Sequence, residues 1–238
     1  MNLLLIDAGN TRIKWMLIND ADVRQHGHLR HAQVTELAAH TGAVSHIILS
    51  NVAGAALGAA ITQQYPHSIQ HIVTASTQRC GVNSHYHPAT QLGSDRWAAL
   101  IGAHHLGAHN SIIVSAGTAV TVDALSAGEF LGGIIMPSTR LMHHALHHHT
   151  AQLPAAAGHV ADFPTNTADA LATGCLLALT GAISIMQTRL QQQTMQPADI
   201  WLHGGDAATL SPLLSPTAHL VDNLVLTGLA VIARERYP

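Results

Sequence analysis

Two apolar runs open the chain, residues 3–6 and residues 13–18 with only Lys14 interrupting, and a short polar stretch separates them. That pattern predicts a β-hairpin. The same strand, turn, strand pattern returns over residues 111–122, where Ser115-Ala-Gly-Thr118 stands at the place of Asp7-Ala-Gly-Asn10. Residues 46–52 are apolar, β-branched and brief, which predicts a buried parallel strand ending in a polar turn. Residues 199–206, a strand closing on Gly204-Gly205, answer to them in the second half. Further strands are predicted over 26–32, 71–73 and 129–137, helices over 35–41, 54–65, 97–106, 138–146 and 222–233, and loops over 19–25, 80–92 and 153–167. Strand, helix, strand in succession argues for α/β domains. Repeats this short also arise by chance, but their order agrees in both halves and predicts a duplicated α/β unit.

Residues 170–188 carry no charge and approach the length that spans a bilayer. They include Thr173, Gly174, Thr180, Gly181, Ser184 and Gln187 and lack basic or aromatic anchors at their ends, so a buried helix is expected, packed within the subunit or across a dimer seam. Residues 1–6 are too short for a signal-peptide core.

Composition then narrows the function classes. Of 238 residues 47% are apolar but only 10% charged, where roughly 25% is usual, so the surface is expected to be neutral, with much of it covered by the 20 His. A net charge of −3 and ten scattered Lys and Arg build no basic stripe for nucleic acid, and 3% aromatics build no base-stacking platform. Cys80 and Cys175 stand alone, without metal spacing, which predicts free thiols in a reducing compartment. Five histidines, 143, 144, 147, 148 and 149, include two pairs at helical i, i+4 spacing; they are expected to be a solvated face rather than a transition-metal site.

The first turn carries candidate chemistry. Gly9 lets backbone approach a ligand closely, Asn10, Thr11 and main-chain N–H groups can donate to phosphate oxygens, and Asp7 is placed to hold Mg²⁺. An ordinary Asn-bearing hairpin turn is the competing explanation. At residues 93–96, Gly-Ser-Asp-Arg enters a helix, where Asp95 beside Arg96 is either a working pair or a first-turn acid at a helix N-terminus. There is no GxxxxGK[ST] loop and no GxGxxG after a strand.

Six motifs in order, residues 7–14, 93–96, 117–121 (Gly-Thr-Ala-Val-Thr), 132–137 (Gly-Gly-Ile-Ile-Met-Pro), Asn166-Thr167 with Gly174, and 224–229, resemble those of the type III pantothenate kinases, members of the acetate and sugar kinase, Hsc70 and actin superfamily. The resemblance implies duplicated ribonuclease H-like (actin-like ATPase) α/β domains, residues 1–108 and 109–238, each a mixed sheet flanked by helices. It implies that pantothenate is phosphorylated by ATP with Mg²⁺ at its primary hydroxyl, in the cytoplasm, by a homodimer that needs neither nucleic acid nor membrane. Asp7, Ala8, Gly9, Asn10, Thr11, Arg12, Ile13, Lys14 and Thr118 would bind ATP. Asp7 would meet its Mg²⁺. Tyr86, Gly93, Ser94, Asp95, Arg96 and Thr167 would hold pantothenate, with Asp95 as catalytic base. The family's monovalent-cation (K⁺ or NH₄⁺) carboxylate is Ser115 here, and the Gly after the proline of its glycine-proline motif is Ser138. A related kinase of another small hydroxy compound and a non-catalytic regulatory protein of the same fold are the alternatives.

Overall fold

The computed structural model describes residues 2–19, 22–150, 153, 158–214 and 218–237. In chain order the elements are β1 (Asn2–Ala8), β2 (Arg12–Asn19), β3 (Asp22–Arg30), α1 (Leu37–Thr41), β4 (His46–Asn51), α2 (Ala55–Thr62), β5 (Ile69–Ile72), β6 (Gln78–Arg79), β7 (Val82–Ser84) and α3 (Ser94–His105). There follow β8 (Asn110–Ala116), β9 (Ala119–Ser126), β10 (Glu129–Pro137), α4 (Thr139–His149), α5 (Thr167–Thr194), β11 (Asp199–His203), α6 (Ala207–Leu210), β12 (Ala218–Leu220) and α7 (Leu224–Arg236). Residues 20, 21 and 154–157, within the expected loops 19–25 and 153–167, lie outside the described residues.

Contacts divide the chain into two compact units, Met1–Gly107 with Gly128–Phe130 and Asn223–Pro238, and Ala108–Ala127 with Leu131–Asp222. The sheet of the first unit has the order β3-β2-β1-β4-β5. β1 runs antiparallel to β2 and parallel to β4, which explains its unbroken apolar run: a central strand is covered on both faces, and Leu3 to Ile6 are all buried. The second unit repeats the plan, β12-β11-β8-β9-β10, with β8 antiparallel to β9 and parallel to β11. Even a closing contact is copied: the Val52 N–H donates to the Ala8 carbonyl at 3.1 Å in one unit, and the Asp206 N–H to the Ala116 carbonyl at 3.1 Å in the other. The fold is a duplicated α/β unit, each copy a mixed sheet flanked by helices.

α7 and residues 128–130 pack with the first unit although they follow residue 108 in sequence. The reason for α7 is backbone contact with α3. A Cβ on Gly228 would fall 1.8 Å from the Ala98 carbonyl oxygen, and one on Gly102 would fall 2.3 Å from that of Leu224. Two glycines therefore let the helices touch main chain to main chain, and no larger residue would fit without pushing them apart.

α5 spans 28 residues and is long and apolar enough to cross a membrane by length and composition alone. The helix expected over residues 170–188 is present, and it buries one stripe while other positions stay exposed. Thr173, Leu176, Leu179, Thr180, Ile183 and Leu190 form a buried stripe, part of a core shared with Ile112, Val114, Val122 and Ile200. Leu177 and Ile185 remain 61% and 55% exposed.

Candidate active site

The first turn joins Ala8, paired with Ile13, through Gly9, Asn10 and Thr11, and the Gly9 N–H closes it on the Arg12 carbonyl at 3.1 Å. A Cβ at Gly9 would meet nothing closer than that oxygen at 3.5 Å, ordinary van der Waals contact, so the turn's own packing does not require glycine. His31 Nε2 donates to the Gly9 carbonyl at 2.8 Å and braces the turn from the far end of β3. Asn10, Thr11 and Arg12 are exposed, Lys14 is half-buried, and Asp7 is buried at the end of β1, opposite Lys14 in the ladder.

Burial is the main reason that the Asp7 carboxyl is pushed up to about 7; Lys14 opposes the shift and the negative charge of Asp95 adds to it. Such a carboxylate, short of positive charge in a dry site, fits a cation. The influence of Asp95 also places the two acids in one electrostatic neighbourhood of the first unit.

Asp95 lies in the first turn of α3, whose N-cap is Gly93. A side chain at Gly93 would put its Cβ 2.6 Å from Asp95 Oδ1, so the absent Cβ leaves room for the carboxylate to fold back and accept from the Arg96 N–H at 2.8 Å. Burial raises the Asp95 pKa, while that hydrogen bond and the Arg96 charge pull it down. Ser94 shares a buried 2.9 Å hydrogen bond with Ser50, and Ser50 is the ladder partner of Asp7. Strand pairing and one hydroxyl pair thus link the first turn to the start of α3.

Arg96 is buried, its Cζ 5.5 Å from the centre of the Tyr86 ring, and its Nη1 donates to Tyr86 Oη at 3.4 Å. Tyr86, Gly93, Ser94, Asp95 and Arg96 all belong to the first unit, with Asp7 and its turn. Sequence reading missed Ser50 and His31. Only Ser50 left a signal, as the polar end of a buried strand. His31 reaches the turn from a separate element and follows no spacing.

In the second unit the turn Gly117-Thr118 connects Ala116 to its ladder partner Val120, closed by the Gly117 N–H on the Ala119 carbonyl at 3.1 Å. Thr118 and Ser115 are half-buried, and Ser115 stands between His203 of β11 and Thr121 of β9 in the ladder. A neutral hydroxyl here does not supply the charge a monovalent cation prefers. Thr167 is the exposed first residue of α5; Asn166 caps that helix by accepting from the Asp169 N–H at 3.0 Å.

α4 carries the five histidines, with the His144 and His148 rings 4.1 Å apart between centroids. Among the described residues no group of three or more His, Cys, Asp or Glu is arranged to hold a metal ion. His143, His144 and His147 instead line, with Arg140 and Val160, a cavity of about 470 Å³ in the second unit.

Residues 3–189 match the profile of the family described as type III pantothenate kinase. Relatives bearing that name are 47% identical over 98% of both chains in Aromatoleum aromaticum and 42% identical over 97% of this chain and 98% of theirs in Chromobacterium violaceum. The chain is a member of the type III pantothenate kinase family. Solved structures agree on the fold of this family member. A conserved putative Baf family transcriptional activator from Campylobacter jejuni superposes with a TM-score of 0.67 at 22% identity over 98% of both chains. A putative 2-dehydro-3-deoxygalactonokinase from Sinorhizobium meliloti gives 0.64 at 19% over 99% of both.

Proposed function

We propose that the chain transfers the γ-phosphoryl group of ATP to the primary hydroxyl of pantothenate, giving 4'-phosphopantothenate and ADP at the entry to coenzyme A synthesis. Family membership supports the reaction, and the observation that carries its assignment to named residues is the grouping in one unit of buried Asp7 and Arg96 with half-buried Asp95. Residues 7–14 and Thr118 bind the triphosphate; Asp7 holds its Mg²⁺, which supplies charge neutralisation at the phosphates. Tyr86, residues 93–96 and Thr167 hold pantothenate, with the Arg96 fork on its carboxylate.

The hydroxyl oxygen forms a bond to the γ-phosphorus as the bond to the β,γ-bridging oxygen breaks, the proton passes to Asp95 Oδ, and ADP leaves with the electron pair. An ordinary aspartate is a weak base for an alcohol, but the proton is lost late in a loose transition state, so orientation is the main task. The raised pKa of Asp95 makes it a better acceptor than an exposed aspartate.

K⁺ or NH₄⁺ is not required in this reading, because Ser115 brings no carboxylate. The two contact units act as the duplicated halves, with α7 returning to the first. The enzyme works as a cytoplasmic homodimer whose seam is the exposed stripe of α5 around Leu177 and Ile185, faced with Gly174 and Gly181, which leave open space for a partner helix. ATP consumption that depends on added pantothenate, with the mass of the product, tests the reaction; ATP use with another hydroxy compound and not with pantothenate would overturn it. Sedimentation of the chain tests the dimer.

A further inference from the structure

Phe130 is fully buried and belongs to none of the motifs that mark the site. It is the second residue of β10 and pairs in parallel with Ser84 of β7, while its carbonyl accepts from the His85 N–H at 3.1 Å. The Tyr86 N–H in turn donates to Ser84 Oγ at 3.3 Å. This backbone register brings the Phe130 and Tyr86 rings together with centroids 5.8 Å apart and planes 20° from parallel. Arg96 Cζ lies 5.9 Å from the Phe130 centroid and 5.5 Å from that of Tyr86, so one buried guanidinium lies beside both rings. All three residues belong to the first unit.

We infer that Phe130 is a positioning residue that sets the plane of the Arg96 fork for the substrate carboxylate. The inference rests on the reading of Arg96 as the carboxylate partner. An arginine side chain has several rotatable bonds, and a bidentate pair with a carboxylate needs its fork coplanar with the two oxygens. Ring faces attract the flat cation and restrict its tilt. Tyr86 also bonds Arg96 through its hydroxyl, but the Phe130 side chain has no polar atom, so what it gives the guanidinium is packing alone. Small errors in such placement are costly, because the substrate hydroxyl at the other end must meet the phosphorus.

The test compares Phe130→Leu and Phe130→Met, which fill the space without a ring face, with Phe130→Tyr, which keeps it. Two readouts are taken on each folded variant. In steady-state kinetics, Leu and Met are expected to raise KM for pantothenate about tenfold while KM for ATP and kcat stay within about twofold, and Tyr to restore the native value. In arginine modification by phenylglyoxal, followed by peptide mass, Arg96 is expected to react several times faster in Leu and Met than in the native chain, with exposed Arg140 as unchanged control. Unchanged Arg96 reactivity, equal rises in both KM values, or a Tyr variant as impaired as Leu would overturn the inference. A native chain that uses no ATP on addition of pantothenate overturns the carboxylate reading and this inference with it; Arg96 reactivity in the same preparation then shows whether the ring still holds the guanidinium.

Discussion

The two hairpin turns share a plan, the second one residue shorter, and differ in the ionisable group at one matching position. Each first strand ends at the residue before a glycine, each turn is closed by that glycine's N–H on a following carbonyl at 3.1 Å, and the last residue of each first strand accepts an N–H from just beyond the neighbouring parallel strand. At the matching position one turn has Asp7, buried and pushed up to about 7, and the other has Ser115, half-buried and neutral. Duplication has kept the shape that presents main-chain donors, while charge has been left on one side only. A divalent ion on a nucleotide needs one carboxylate anchor; a second would add repulsion unless another cation came with it.

The strongest way to break this comparison is to remove each polar group in turn. Asp7→Asn is expected to lower kcat/KM for MgATP by about 10³-fold, in the range lost with a main electrostatic contact at a reacting centre, and Ser115→Ala by no more than about threefold. Steady-state assays check this, and similar losses would mean that the turns are equivalent. Asp95→Asn is expected to reduce kcat by roughly 10²-fold or more, with binding of both substrates by calorimetry nearly unchanged. Near-native turnover would remove Asp95 from the mechanism.

Charging the neutral turn sharpens the contrast. The native chain is expected to show activity and thermal midpoint independent of potassium, whereas Ser115→Asp should gain a few degrees of midpoint on going from sodium to potassium, read by calorimetry without nucleotide. A native midpoint that itself rises with potassium would show a cation site built from other groups.

The smallest expected effect concerns stability and pH. Asp7 ionises near 3.8 when unfolded and near 7 when folded, so between those values the folded chain holds a proton that the unfolded chain has lost. Stability from this group is therefore full below about pH 4, falls as pH rises to about 7 and stays at its lower level above. Asp7→Asn lacks the buried charge. Melting in EDTA should find the variant several degrees more stable than native at pH 8 and little different at pH 4; an equal gain at both would reject the shifted carboxyl.

Much of this protein was legible in its residue order. Runs such as residues 3–6 and 112–114 marked buried strands because a strand covered on both faces has no polar side to show. The polar turns between paired strands marked candidate ligand positions because backbone donors there have no ladder partner. Asp95 and Arg96 were likewise visible as neighbours entering a helix.

Tertiary structure decided what depends on elements far apart in the chain. The Ser50–Ser94 hydrogen bond, the brace from His31 and the Phe130 ring against Arg96 each join separate elements, and no periodicity encodes which will meet. The place of α7 is of the same kind: Gly228 and Gly102 let it meet α3 at backbone distance, though they lie far apart in the chain. Local pattern determines which faces seek burial, because that depends on side-chain solvation alone; which partner buries them, and hence how far Asp7 is lifted from its ordinary pKa, is set by shape and distance in the folded chain.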